Sequence, residues 1–280
     1  MDFEKRRILH VVDEKIIRYF VSVCEHLDIS YTILGGTLLG AVRHKGFIPW
    51  DDDVDFGLPR PDYNKLVRYL IKNNSTKYEF KNFKNSEIKT YFSRIESKSI
   101  SIIDQSAEKK DSRYAWIDIF PLDGMPNNKI LRKIHQFNLL RIRMLLQYSQ
   151  FSKIVNVNLT ERPIFERVLI GLGKFIKPDR FLNTEYYNWK LDVCLQRYTF
   201  ANSDYVVNFM GAYKFKEMFP KSFYENLIDY KFEALQLKAP QEANKILFQM
   251  YGANFMQPPS DMIKNKHFTK IIINDKDLVN

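Results

Sequence analysis

Residues 50–58, Trp-Asp-Asp-Asp-Val-Asp-Phe-Gly-Leu, constrain this chain more tightly than any other stretch. Four carboxylates in five positions repel one another, and a fold that sets them among apolar residues has to bring something positive to them. The second half alternates as a strand does, so Val54 and Phe56 face a core while Asp53 and Asp55 share the opposite face, with Asp51 in the same parity. Adjacent hard oxygens with room left for water and phosphate suit Mg²⁺ or Mn²⁺. An isolated Asp triplet is more often a solvated turn. Here Trp50, Val54 and Phe56 argue against that, because a solvated turn does not need bulky apolar neighbours. Asp53 and Asp55 are therefore the leading metal ligands, Asp51 a further ligand or a general base, and Asp52 a residue that orients the loop.

Upstream, Tyr31-Thr32-Ile33-Leu34 reads as a short strand stopped by Gly35-Gly36, after which Thr37 caps a helix running through Val42. Such a glycine pair is often only a turn, but it also permits close backbone approach, and the N–H groups of a helix start favour an anion. Arg43, His44 and Lys45 are either ordinary surface charge or a clamp for a diphosphate, Arg43 being the bidentate donor. A third carboxylate would complete a metal site. Asp118 is the best candidate because it interrupts the apolar strand Trp116-Ile117-Asp118-Ile119-Phe120, where a buried carboxylate needs a cation or hydrogen-bond donors. Asp104 and Asp123 are weaker, each near an expected strand end where Asp often serves a turn.

Around these residues the pattern is α/β (α+β), a mixed sheet core with flanking helices. Ile8, Val12, Ile16, Phe20, Val23 and Leu27 predict an amphipathic helix over 5–27, and Pro61 opens a further helix. Further strands are expected at 91–95, 100–103 and 115–120. Residues 1–125 form the catalytic unit in this reading and 126–200 a helical insertion. Residues 201–280 are a C-terminal segment packing on the core, the chain beyond the catalytic unit being read as a mainly helical C-terminal part whose last helix, Glu242–Tyr251, ends at Gly252.

The 43 Lys and Arg against 33 Asp and Glu give a net charge of +10, which should draw an anionic partner: nucleic acid, a membrane face or a phosphate-bearing substrate. The bases are dispersed and no nucleic-acid motif is present, so nucleic acid is not expected. Acids at Asp2 and Glu4 leave no signal-peptide core, and no apolar run approaches the about 20 residues that span a bilayer. The expected place is cytoplasmic, at the inner face of the cytoplasmic membrane if the basic helix 129–146 rests on anionic lipid. Cys24 and Cys194 have no metal-ligand spacing and read as inert thiols.

The stretch Gly35-Gly36-Thr37-Leu38-Leu39-Gly40-Ala41-Val42-Arg43-His44-Lys45-Gly46-Phe47-Ile48-Pro49-Trp50-Asp51-Asp52-Asp53-Val54-Asp55 resembles the signature of the LicD family, bacterial phosphocholine transferases related to fukutin-type ribitol-phosphate transferases. Asp118-Ile119-Phe120-Pro121-Leu122, and Tyr251-Gly252 followed by Phe255-Met256 and Pro258-Pro259, extend the likeness over residues 5–268, with 127–200 generic. The resemblance implies a nucleotidyltransferase-like fold with its glycine turn at Gly35, Gly36 and Thr37, its acid pair at Asp53 and Asp55 and its third acid at Asp118. It also implies a CDP-alcohol donor, chiefly CDP-choline. The acceptor would be a hydroxyl of a cell-surface glycan precursor (teichoic acid, lipopolysaccharide or capsule), lipid-linked at the inner leaflet, with CMP released. Trp50, Tyr91, Trp116, Trp189 and Tyr213 are candidates to face a choline ammonium. No choline motif is visible, so CDP-ribitol and CDP-glycerol remain open. The alternative is a nucleotidyltransferase that modifies a small molecule with an NTP and releases pyrophosphate. A D-x-D glycosyltransferase would not call for Gly35-Gly36-Thr37.

Overall fold

The computed structural model describes residues 3–73, 75–85, 91–104, 111–151, 178–258 and 269–274. Helix α1 (Phe3–Leu27) buries Val12, Ile16, Phe20 and Val23 of the predicted stripe in the main core, together with Leu9, while Ile8 and Leu27 are only partly buried. Strand β1 (Thr32–Ile33), helix α2 (Gly35–His44), strand β2 (Asp55–Pro59) and helix α3 (Arg60–Lys72) follow, then β3 (Glu79–Lys81), β4 (Ser93–Asp104) and β5 (Asp111–Met125). The sheet runs β1-β2-β5-β4-β10, the last strand being Thr269–Ile273, with β3 beside β4. Its one parallel pairing on this path, β2 with β5, sets Asp55 opposite Asp118. The mixed α/β class expected from the sequence is the one found.

Two differences have physical causes. The strands expected at 91–95 and 100–103 are one strand, β4, whose register against β5 shifts between Ser97 and Ser101; the polar irregularity reads in sequence as a break. Strand β5 runs past its apolar stretch to Met125, where β6 (Tyr205–Val207) pairs with Asp123–Met125 and β7 (Met218–Pro220) pairs with β6.

The segment from 201 is also less helical than expected. Helix α6 (Ser222–Glu225) is one turn and α7 (Ala243–Tyr251) two or three, whereas a 3₁₀ turn at Lys214–Glu217, β6, β7, the hairpin β8 (Leu227–Phe232) with β9 (Leu235–Pro240), and β10 make the rest of its regular structure among the described residues. The hairpin turn holds Glu233 at φ +53°, a place that glycine or asparagine usually takes, so no turn signal marks it. Helix α7 does end at Gly252, which sits at φ +87°.

Helix α4 (Lys129–Ser149) is capped by Asn128, whose side chain accepts from the N–H groups of Ile130 and Leu131. Asn183 likewise caps α5 (Thr184–Leu195). The two helices pack together, burying Leu139, Ile142, Leu146, Leu191 and Leu195 in a second apolar cluster with Met125 and Val207. Among the described residues no helix is long and apolar enough to cross a membrane.

Candidate active site

The aspartates stand where the parallel pair begins. Val54 and Phe56 are fully buried on the core side, and the Asp118 N–H donates to the Val54 carbonyl at 2.8 Å, extending the pairing one residue upstream of β2. Carboxylate oxygens of Asp51, Asp52 and Asp53 lie within 4.8 Å of one another. Asp52, expected only to orient the loop, thus joins the cluster. Burial first, and then the charges of Asp55, Asp51, Asp52 and Asp118, push the Asp53 carboxyl well above the usual carboxylate range. Burial and then Asp118 do the same for Asp55. Close hard oxygens that resist carrying their charges unaided fit a divalent cation of the Mg²⁺ or Mn²⁺ kind.

The glycine pair is there for those carboxylates. Gly35 has φ +52°, and a Cβ on it would lie 3.0 Å from Asp55 Oδ2; a Cβ on Gly36 would lie 2.8 Å from Asp51 Oδ2. A side chain at either position would intrude on the acids. Thr37 is not the helix cap: α2 starts after Leu34 without a side-chain cap, and Thr37 Oγ1 accepts the Asp55 N–H at 2.8 Å. The hydroxyl therefore ties α2 to β2 and leaves its own hydrogen to donate. The positive end of α2 is directed at the same place.

Asp118 is buried and already partnered. Arg94 Nε donates to Oδ1 at 2.7 Å and Nη2 to Oδ2 at 3.0 Å, while Trp116 Nε1 donates to Oδ2 at 3.1 Å. Oδ1 accepts one bond and keeps a lone pair for a cation. Arg94 was not singled out in the sequence, yet its field reaches both Asp53 and Asp55.

The cationic trio divides. Arg43 Nη1 donates to the Phe255 carbonyl at 2.8 Å, its guanidinium lies 5.9 Å from the Trp50 ring, and His44 meets that ring edge-on, also at 5.9 Å. Both thus stay with the residue next to Asp51. Lys45 Nζ turns back to the Val42 carbonyl at 3.2 Å, at the end of α2 far from the glycine pair.

Other candidates settle elsewhere. Asp123, read as a turn residue, is buried inside β5 and holds Arg60 by two bonds of 2.6 Å. Tyr91 is buried in that same network, and Trp189 points outward from α5.

Helix α1 does more than its apolar stripe suggests. Arg6 donates to the Trp50 carbonyl, and His10 Nε2 must donate to the Asp51 carbonyl at 2.9 Å, since a carbonyl only accepts. Phe47 stacks on the His10 ring at 4.1 Å. Asp13, buried with neither carboxyl oxygen bonded among the described residues, is pushed well up by burial and by Asp52. Positions 6, 10 and 13 form one helical stripe beneath the aspartate loop.

A further wall comes from the C-terminal segment. Burial pushes the Glu217 carboxyl up to about 7, although it accepts from Tyr213 N–H at 2.9 Å and Asn208 Nδ2 at 2.8 Å. The fields of Asp55 and Glu217 both act on Tyr251, which meets Tyr213 edge-on at 5.6 Å.

The site is thus a glycine-started helix set against paired strands that carry acids. Residues 28–164 match the LicD/FKTN/FKRP nucleotidyltransferase domain, so this stretch is a LicD family domain. It is 29% identical over 267 residues to the lipopolysaccharide cholinephosphotransferase LicD of Haemophilus influenzae, a likeness covering 92% of this chain and 94% of that one. It is also 54% identical over 41 residues to the ribitol 5-phosphate transferase FKRP of Homo sapiens, across 15% of this chain and 8% of that protein. An uncharacterized Rickettsia typhi protein is 30% identical over 132 residues, 47% of this chain and 39% of its own length.

Proposed function

We propose that the protein moves a phospho-alcohol, phosphocholine before others, from a CDP-alcohol to a hydroxyl of a cell-surface glycan precursor, releasing CMP. The observation that carries this reading is the approach of Asp51 and Asp55 to the glycine pair that starts α2, with Asp53 clustered beside Asp51 and Asp118 paired opposite Asp55. The acceptor oxygen bonds to the phosphorus distal to cytidine as the bond from that phosphorus to the bridging oxygen breaks. The electron pair of the broken bond leaves with CMP, and the acceptor proton passes to a carboxylate of the cluster, Asp51 first. Asp53 and Asp55, with the spare lone pair of Asp118, would hold Mg²⁺ or Mn²⁺, which when bound offsets phosphate charge and polarises the phosphoryl oxygens. The Gly36 N–H and the Thr37 hydroxyl hydrogen would hold a phosphate oxygen. Arg43 keeps further N–H donors for the diphosphate beyond its bonds to Phe255 and His44. Tyr213 and Tyr251 offer aromatic faces for a quaternary ammonium.

The test is incubation with Mg²⁺ and, separately, CDP-choline, CDP-ribitol, CDP-glycerol and CTP. CMP should form from CDP-choline ahead of the others. Pyrophosphate from CTP beside inert CDP-alcohols would overturn the reading in favour of nucleotidyl transfer. Within it, Gly36→Ala should fold normally by circular dichroism and lower CMP release about a hundredfold, because the new methyl displaces Asp51 and the phosphate-facing backbone together. A variant as fast as the wild type would show that the close approach has no catalytic purpose.

A further inference from the structure

Helix α4 carries Lys129, Arg132, Lys133, Arg141 and Arg143 and no acidic residue. Its inner face is buried in the second cluster, so the outer face should be polar. It is not: Ile130, Ile134, Phe137 and Met144 recur there, with Ile130 72% and Phe137 68% exposed. The neighbouring α5 continues the surface with Tyr186, Trp189 and Val193 at spacings of three and four, all exposed, and Lys190 lies 5.2 Å from the Tyr186 ring. Protruding aromatic and aliphatic side chains set among lysines and arginines, without acids on the longer helix, match the chemistry of an anionic lipid surface, where the bases meet headgroup phosphates and Trp and Tyr sit at the interface. A second copy is a poorer occupant, because it would bring the outward Lys129, Lys133 and Arg141 against their own like charges.

We propose that the outer face of α4 and α5 seats the protein on an anionic bilayer. The inner face of α4 touches the wall of the site: Arg143 donates to the Phe209 carbonyl, and Gln136 contacts the Met218 sulfur next to Glu217. A docked protein thus holds its carboxylates one helix layer from the lipid, where a lipid-linked acceptor is presented; this consequence, unlike the docking itself, rests on the proposed reaction.

Flotation of the intact protein with vesicles, without donor or acceptor, tests the surface. It should bind phosphatidylcholine vesicles containing phosphatidylglycerol, release at high salt, and ignore phosphatidylcholine alone. Lys133→Glu with Arg141→Glu should weaken binding more than tenfold, and Phe137→Ser with Trp189→Ser should weaken it comparably. Both pairs are exposed, so circular dichroism and CMP release from a free donor should stay at wild-type level. Absence of binding to anionic vesicles, or binding that neither pair alters, would overturn the proposal. So would a dimer in sedimentation that the Phe137→Ser, Trp189→Ser protein fails to form, since that would give the face to a second copy.

Discussion

Asp55→Asn is expected to fold, to melt at a higher temperature than the wild type in metal-free buffer at neutral pH, and to lose about a thousandfold in turnover. Asparagine keeps the shape and removes one charge from a group that burial and Asp118 already disfavour in its charged form. The sign follows from linkage. A carboxyl whose folded value is raised binds its proton more readily in the folded state, so stability is greatest below the usual carboxylate range and falls as pH rises through that range towards the folded value. The charge is the destabilising state, and Asn cannot acquire it. A gain of about 1 kcal/mol would raise the melting temperature by roughly 2 °C or more. The gain should shrink as pH is lowered towards 4, where Asp in both states approaches neutrality. The same substitution removes a ligand from the site where phosphate charge must be offset, an effect of several kcal/mol, hence the thousandfold loss. Added Mg²⁺ should raise the melting temperature of the wild type and leave that of the variant nearly unchanged. Turnover within tenfold of wild type, or a variant that melts lower in metal-free buffer, would remove Asp55 from the role given to it. Asp53→Asn should behave alike, since burial and the same neighbours act on it.

What could be read from the sequence was what is local. Val54 and Phe56 alternate with Asp53 and Asp55, so the strand and its two faces were visible, as were the glycine pair and the apolar stripe of α1. What was hidden depends on register or on a second stripe. Arg94 belongs to Asp118 only because β4 pairs antiparallel with β5 at that residue, a long-range choice that no spacing records. Asp123 looked like a turn residue because the apolar run stops near Phe120, while the strand continues as far as its pairing with β6. Thr37 looked like a cap because Ser and Thr after a turn usually are; its hydroxyl is instead taken by a backbone N–H 18 residues away. Arg6, His10 and Asp13 are less legible because an amphipathic helix is recognised by its apolar positions. Polar residues at spacings of four and three next to that stripe were the available signal.

Arg60→Met should cost about 3–5 kcal/mol, the usual result of stranding a buried carboxylate, and lower the melting temperature by roughly 10 °C. Arg60 starts α3 and is buried, with two bonds of 2.6 Å to Asp123, one of 3.2 Å to Asp192 and one of 3.1 Å to the Tyr91 hydroxyl. Lys84, itself exposed, adds a contact of 3.2 Å to Asp192, so among the described residues the buried Arg60 is the one cation set between two buried carboxylates. Burial raises the Asp123 carboxyl even with Arg60 present, and without the guanidinium that value must rise further. A raised folded value means the deficit is largest at neutral pH and narrows as pH falls towards 4, the direction already argued for Asp55. Arg60→Met with Asp123→Leu should recover part of the loss, because a dry pair replaced on both sides leaves one fewer orphan than a pair broken on one side. A loss below 1 kcal/mol in the single variant, or no recovery in the double, would mean the network is solvated enough not to matter. The position of Asp192 gives the damage an address: it lies in α5, whereas Arg60 starts α3 and Asp123 lies in β5, so the network fastens the α4–α5 layer to α3 and the main sheet. Amide exchange in Arg60→Met should therefore accelerate first in α4 and α5 and later in β2 and β5. Vesicle binding and turnover would then separate: a loosened layer that still reaches the bilayer no longer holds the carboxylates at a fixed distance from it, and transfer to a lipid-linked acceptor should fall more than hydrolysis of the free donor.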